Sequence, residues 1–398
     1  MTNMKNISSG SCFNSILYII MFLTFINCSA QTNIGENQIK IVDTTEFNDS
    51  AHHWYDINDE VKIIEPLPEQ KRYGTSEVTE IADNILLFQK SNGGWPKNYD
   101  MQAILTEEQK KAVLKTKNDL NTTFDNGATH SQMNYLAKAY SLTKIEKYKE
   151  AFLSGIEFVL TAQYDNGGWP QYYPDKKGYR KYITFNDGAM IGIMKLFNKI
   201  VNRKEEFSFI QDSLYTKINL AYKKGIDCIL NCQIEENGKL TAWCQQHDNI
   251  DFRPQNARSF EPASICNGES SSIVKFLMSL ENPDERIIKS INAAVNWLEE
   301  SKIYGIRVER IEAPKTEYLY HTADYDKVVV EDSQAPPIWT RYYELGTHKP
   351  MFCNRDGKVV YLLEEVERER RTGYAWYVYD PQEVLDLYPA WSNKWMKE

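Results

Sequence analysis

Trp95, Trp169 and Trp243 stand 74 residues apart, and the first two lie in near-copies of one phrase, Asn92-Gly-Gly-Trp-Pro96 and Asn166-Gly-Gly-Trp-Pro170. A large aromatic at fixed spacing inside a repeated phrase marks an internal repeat. A second phrase recurs downstream: Thr123-Phe-Asp-Asn-Gly-Ala128, Thr184-Phe-Asn-Asp-Gly-Ala189, and a degenerate Ser259-Phe-Glu-Pro-Ala263. The chain is therefore a threefold array in which Asp125, Asp187 and Glu261 recur at related positions. A length of 398 residues would by itself suggest two or three domains, but such a repeat builds one closed unit, here residues 71–398.

Paired glycines followed by Trp-Pro cannot continue a helix, so each first phrase predicts a helix-ending loop. The second phrase opens the next helix and puts Asp125 and Asp187 near its start, where carboxylates are favoured by free N–H groups and the helix dipole. Capping alone would explain one such aspartate; two, placed by symmetry at one end of a helical ring, point to a shared cleft. Apolar residues at helical spacing support the helices: Tyr148, Phe152, Ile156 and Val159 on one, Leu214, Ile218, Ala221 and Ile229 on another, then Ile273, Phe276 and Leu277, and Ile287, Ile291, Ala294 and Leu298. Thr106 with Gln109 has the form of a capping box. Strand-like runs are few and short, such as Lys327-Val-Val-Val330 and Lys358-Val-Val-Tyr361. The expectation is an all-α dominated fold with long loops.

Residues 1–30 carry the single charge Lys5, an apolar run from Ile16 to Ile26 and then Cys28, Ser29 and Ala30, which is the pattern of a secretion signal. The run falls short of the roughly 20 apolar residues of a membrane span. A secreted or periplasmic protein is expected, with lipid attachment at Cys28 as the alternative anchoring it to the cell surface. Residues 31–70 are polar and non-periodic, and predict a loosely packed arm. The formal charge of −9 with no basic stretch argues against nucleic acid. Five cysteines follow residue 30, an odd number, with no finger-like spacing; buried free thiols are expected. A monomer is expected.

The quoted phrases, together with Gln255-Asn-Ala-Arg-Ser-Phe-Glu-Pro-Ala263, Trp339-Thr-Arg-Tyr-Tyr343, Pro350-Met-Phe-Cys-Asn-Arg-Asp-Gly357 and Arg371-Thr-Gly-Tyr-Ala-Trp-Tyr377, resemble those of pectate lyases of polysaccharide lyase family 10. The resemblance runs from about Arg72 to Trp391. It implies an (α/α)3 toroid, calcium dependence and cleavage of polygalacturonate by β-elimination. It implies that Asp125 and Asp187 are calcium and substrate ligands, that Arg258 is the catalytic base, and that Arg341 and Arg355 hold substrate carboxylates. Thr340 and Tyr342, which flank Arg341, depart mildly from the family's usual residues.

Elimination across C4–O4 of a uronate begins with loss of the C5 proton, hardly acidic while the adjacent carboxylate keeps its charge. Carboxylate oxygens from Asp125 and Asp187 suit a hard cation such as Ca2+, and arginines add charge-assisted contacts that strengthen as negative charge develops. A guanidinium base is unusual, since arginine stays protonated to about pH 12; the role implies an alkaline optimum and positive surroundings that lower the Arg258 pKa. Otherwise Arg258 pairs with Glu261, three residues on. Asn126 is a further ligand candidate, Trp243, which lacks the Gly-Gly and Pro partners, a candidate sugar platform, and His247 a minor candidate proton donor or metal ligand. Two other functions fit the residues less well: a glycoside hydrolase using Asp125 and Asp187 as its acid and base, and a non-catalytic pectin-binding surface protein.

Overall fold

A computed structural model describes residues 40–58 and 61–396. The expected secretion signal and the lipidation alternative at Cys28 lie outside the described residues.

Three helix pairs follow one another along the chain: α4 (His130–Thr143) with α5 (Glu146–Ala162), α6 (Ala189–Val201) with α7 (Asp212–Asn231), and α8 (Asn267–Met278) with α9 (Glu285–Glu300). The first members, α4, α6 and α8, pack side by side as an inner layer. Their burial extends around most of the helix, as in Met190, Ile191, Ile193, Met194, Leu196 and Phe197 of α6, the signature of a helix covered on all sides. The outer α5, α7 and α9 bury one face only, Tyr148, Phe152, Ile156 and Val159 in α5 among them. Preceding them are α1 (Asn48–Tyr55), α2 (Val78–Phe88), which packs on α4, and α3 (Glu107–Lys115); α10 (Arg368–Gly373) and α11 (Asp380–Trp395) follow, α11 packing on α8 and α9. The helical toroid that the resemblance implies is the architecture found. Thr106 and Gln109 form the capping box that opens α3.

The tryptophans are the spokes of this ring. Trp95 Nε1 donates to the Ile85 carbonyl of α2 at 2.8 Å, Trp169 Nε1 to Val159 of α5 at 2.9 Å and Trp243 Nε1 to Ile229 of α7 at 2.8 Å. Trp339 does the same to Leu298 of α9 at 2.8 Å, a fourth spoke that the 74-residue spacing hides because the preceding loop is longer. All four indoles are 0% exposed. A glutamine beside each of the first three stitches neighbouring outer helices together: Gln89 Nε2 donates to Gly93 O and Ala151 O, Gln163 Nε2 to Gly167 O and Ala221 O, and Gln233 Nε2 to Thr241 O and Ser290 O. The repeated glycines follow from the same crowding. Gly93 and Gly167 sit at φ of 92° and 93°, and a Cβ there would come within 2.3 Å of Ser154 O and 2.0 Å of Lys224 O.

Trp243 is thus a core residue, and its expected place as a sugar platform is corrected: its ring is sealed inside and its N–H is spent on α7. Trp243→Ala is expected to lower the unfolding free energy by about 3–5 kcal/mol, through the lost ring and the cavity left behind. A urea midpoint unchanged from wild type would count against the spoke.

Two further expectations are revised. The arm up to residue 70 is not loosely packed where it is described: Val42, Phe47, Trp54 and Ile64 are buried in the main core, and Trp54 Nε1 donates to Ile64 O at 2.7 Å. Polar composition concealed this because the few apolar residues carry the packing. Nor are all strands short. A hairpin pairs Ile306–Glu317 with Thr322–Glu331, while the remaining strands, among them a small antiparallel sheet ordered 359–360, 350–353, 342–343, 265–266, have two to four residues each. The hairpin alternates charged and apolar residues and is largely exposed on both faces, so it gives little hydrophobic signal.

Candidate active site

Each tryptophan loop hands its chain to the start of the next inner helix. Thr123 N–H donates to Trp95 O (3.0 Å), Thr184 N–H to Trp169 O (3.1 Å) and Cys266 N–H to Trp243 O (2.7 Å). One residue further along, Phe124 N–H reaches Gln171 O, Phe185 N–H Gln245 O and Asn267 N–H Arg341 O. This ladder aligns the turns residue by residue. Asp125 is the equivalent of Asn186, and Asn126 the equivalent of Asp187, so the two aspartates stand one step apart in the repeat. Asn126 and Asp187 share a left-handed backbone, φ 50° and 48°, followed by Gly127 and Gly188 at 75° and 69°, a conformation that Asn, Asp and Gly tolerate best. In the third turn the ladder makes Glu269, in the first turn of α8, the counterpart of Asp187. Glu261, the expected third acid of the repeat, lies outside the ladder, on the excursion that carries Arg258.

The residue two places after each tryptophan, Lys97, Gln171, Gln245 and Arg341, points its polar end at these turns. Lys97 Nζ lies 2.5 Å from Asp125 Oδ2 and 2.9 Å from Asn126 Oδ1. Gln245 Nε2 donates to Asn186 Oδ1 at 2.9 Å, and Arg341 Nη2 donates to the same oxygen at 3.2 Å and to Glu269 Oε1 at 2.7 Å. Asn186 Nδ2 in turn donates to Asp187 Oδ2. Asn126 Nδ2 is held by Asp49 Oδ2 at 2.9 Å and lies 3.1 Å from His53 Nε2, both on α1. The structure therefore brings Asp125, Asn126, Asp187 and Arg341 to one place, and adds Lys97, Gln245 and Glu269, which the sequence analysis did not single out. For Lys97 and Gln245 the signal was available, the same offset from every spoke; Glu269 is found only through the ladder of backbone hydrogen bonds.

The two aspartates are electrostatically unlike. Burial opposes the Asp125 charge, but Lys97 outweighs it and holds the carboxyl below the usual carboxylate range. Among the described residues no such cation contacts Asp187. Solvent reaches it, yet enclosure by protein first, and the Asp125 charge second, raise it to about 7, with Arg341 and Arg258 pulling the other way. The site thus favours an added positive charge at Asp187.

Arg258 lies within electrostatic reach of both aspartates, on the rim, with its side chain 47% exposed. It grips Glu261 with two contacts, Nε–Oε2 at 2.8 Å and Nη2–Oε1 at 2.5 Å. Burial pulls its pKa down, but Glu261 more than offsets this and the guanidinium is held well above its ordinary value. The positive surroundings expected to lower it are, on this side, an anion. Tyr374 ties the pair to Arg341: its hydroxyl donates to Glu261 Oε1 at 2.9 Å, and the Arg341 guanidinium carbon lies 4.7 Å from its ring centroid. Arg355 is one layer further out, bidentate to Glu369 at 3.1 and 2.7 Å and resting on the rings of Phe260 and Tyr320. Burial works against the Glu369 charge, yet Arg370 and Arg355 hold that carboxyl down to about 2. His247 takes no part. Its Nε2 accepts from Cys244 N–H at 3.0 Å and its Nδ1 donates to Phe252 O at 2.7 Å, a neutral core ring whose pKa burial lowers to about 4.

Several oxygens here lack a hydrogen-bond donor: Asp125 Oδ1, Gln171 Oε1, Gln245 Oε1 and Glu269 Oε2 are buried without one. Unpartnered buried acceptors are costly, and oxygen donors beside an under-neutralised carboxylate suit a hard cation such as calcium. Among the described residues no three His, Cys, Asp or Glu side chains converge on one point, so such an ion would draw on amide and substrate oxygens besides Asp125 and Asp187.

A family model described as pectic acid lyase matches residues 89–385. Solved structures similar to the chain include two family 10 polysaccharide lyases. One is a family 10 polysaccharide lyase from Cellvibrio cellulosa, at 29% identity and a TM-score of 0.68, covering 80% of this chain and 92% of its own. The other is an aspartate-to-alanine mutant of a family 10 polysaccharide lyase from the same organism in complex with trigalacturonic acid, also at 29% identity and 0.68, covering 81% of this chain and 93% of its own. No curated protein matches the chain.

Proposed function

Because the chain belongs to the pectic acid lyase family, we propose that it is a calcium-dependent pectate lyase that acts outside the cell, cleaving polygalacturonate by β-elimination at C4–O4 to give 4,5-unsaturated oligogalacturonides. The observation that carries this is the unequal aspartate pair: one carboxylate neutralised by Lys97, the other raised and lacking a cation, with arginines on the facing side. Asp125, Asp187 and Asn126 would hold the calcium, which when bound would neutralise the carboxylate of the sugar whose C5 proton is lost. Arg341 and Arg355 hold further substrate carboxylates. The Arg341 guanidinium is prepaid in position by Glu269 and the Tyr374 ring, so little reorganisation accompanies charge development. Arg258, once it has lost a proton to solvent, takes the C5 proton, and this requires that substrate binding loosen its grip on Glu261, whose second hydrogen bond from Tyr374 keeps that carboxylate partnered.

A leader of the form of residues 1–30 supports export, and among the described residues no helix is long and apolar enough to cross a membrane. The polymeric substrate is too large to enter a cell intact, in keeping with an extracellular site of action.

Near-ultraviolet absorbance during incubation with polygalacturonate at alkaline pH tests the proposal, because only elimination creates the conjugated C4–C5 double bond. A rise that a chelator abolishes and added calcium restores is expected. A rise indifferent to chelation would remove the metal, and new reducing ends without absorbance would mean hydrolysis by the aspartate pair.

A further inference from the structure

The side-chain amide of Asn126 has two unlike ends, and a cation can use only one of them. Its oxygen is a ligand for a hard cation, whereas an N–H turned to the same place repels one. Contacts on both sides fix which end faces where. Lys97 Nζ donates to Asn126 Oδ1 at 2.9 Å, which leaves that oxygen a second lone pair. On the other side Asn126 Nδ2 donates to Asp49 Oδ2 at 2.9 Å and lies 3.1 Å from His53 Nε2. Asp49 and His53 are four residues apart on α1 and so share one face of that helix. Asp187, the equivalent of Asn126 in the next turn, needs no such brace, because the two oxygens of a carboxylate are alike.

The helix that supplies the brace lies ahead of residue 89, where the family match begins. It is anchored through its opposite side. Phe47, just before α1, and Ser50, Ala51 and Trp54 within it are buried. Ser50 Oγ donates to Tyr99 O at 2.9 Å and accepts from Tyr99 N–H at 3.2 Å, which ties α1 to the loop that carries Lys97. The two contacts on the Asn126 amide are thereby held relative to each other. Asp49 itself is 53% exposed, so the core does not depend on its side chain.

We propose that Asp49 is a positioning residue for the calcium site, fixing the Asn126 amide so that its oxygen, and not its nitrogen, is turned to the Lys97–Asp125 side of the cleft. The inference rests on the assignment of Asp125, Asp187 and Asn126 to calcium. It makes calcium affinity depend on a residue of the N-terminal segment that does not itself ligate the ion.

Calorimetric titration with calcium of wild type, Asp49→Ala and Asp49→Asn tests this, together with the calcium concentration for half-maximal formation of unsaturated product. The Asp49 charge also reaches Asp187, so loss of the charge has to be separated from loss of the acceptor. Asparagine does so: its Oδ1 still accepts from Asn126 Nδ2, but the charge is gone. Asp49→Ala should weaken calcium about tenfold in both measurements, the scale of one lost charge-assisted hydrogen bond, while Asp49→Asn stays within about threefold of wild type. At saturating calcium the kcat of Asp49→Ala should recover, which a distorted fold would not allow. Wild-type affinity in Asp49→Ala would overturn the brace, and equal weakening by both variants would overturn it in favour of charge alone. A wild type that neither binds calcium nor needs it for elimination would end the calcium assignment, and the brace with it.

Discussion

Arg258→Ala is expected to lower kcat on polygalacturonate by on the order of 10²–10⁴, the usual contribution of a positioned base, while polygalacturonate binding stays within a few fold. That result alone leaves open a purely electrostatic role, since the substitution also takes the counter-ion from Glu261, whose side chain is 2% exposed. Glu261→Gln separates the two. Removing the anion withdraws the main influence that raises the Arg258 pKa, so the guanidinium deprotonates at lower pH. If the neutral form accepts the C5 proton, the rising alkaline limb of the pH–rate profile moves to lower pH in Glu261→Gln, and activity below the optimum increases. If Arg258 only balances Glu261, the limb stays where it is. Retained turnover in Arg258→Ala would remove it from the base role whatever the second variant does.

Asp187→Asn is expected to raise the calcium concentration for half-maximal activity by roughly 100-fold, about 2.8 kcal/mol at 1.4 kcal/mol per tenfold, and the amide preserves the size and the hydrogen bond from Asn186. The reason is the asymmetry of the pair. Lys97 already compensates Asp125, whereas Asp187 carries the charge that a cation would relieve. The same carboxyl sets a pH dependence. Its raised pKa means that a proton competes with calcium, so as pH falls through that value the calcium requirement climbs, and excess calcium extends activity to lower pH. In Asp187→Asn that exchange is lost and the acidic limb becomes independent of calcium. Calcium titrations at three pH values on both proteins check this, and an unchanged half-saturation would leave Asp187 as a helix-start residue only.

The repeat was legible because its causes are local. Gly93 and Gly167 are required by a positive φ and by the backbone of the next outer helix, the Trp-Pro pair ends a helix, and the apolar spacing of α5, α7, α8 and α9 reports the faces they bury. The closed helical unit and its repeat length follow from these. Trp243 was misjudged for a related reason. Its turn lacks the glycines, but the indole hydrogen bond to the preceding outer helix does not depend on them. The N-terminal arm was misjudged because Phe47 and Trp54 are few among polar residues, and burial of two large rings outweighs the surrounding polarity.

Sequence by itself determined the repeat and put Asp125 and Asp187 at one end of it, since a repeat places equivalent loops at the same end; Arg341 entered through the resemblance carried by Trp339-Thr-Arg-Tyr-Tyr343. Only the tertiary structure decided which positions are equivalent, through hydrogen bonds between loops far apart in the chain, and so put Glu269 in place of Glu261 in the series. It alone set Lys97 on Asp125 and α1 beside Asn126. Charge state at a site depends on distances between side chains 28 to 155 residues apart, and local composition carries no record of those distances.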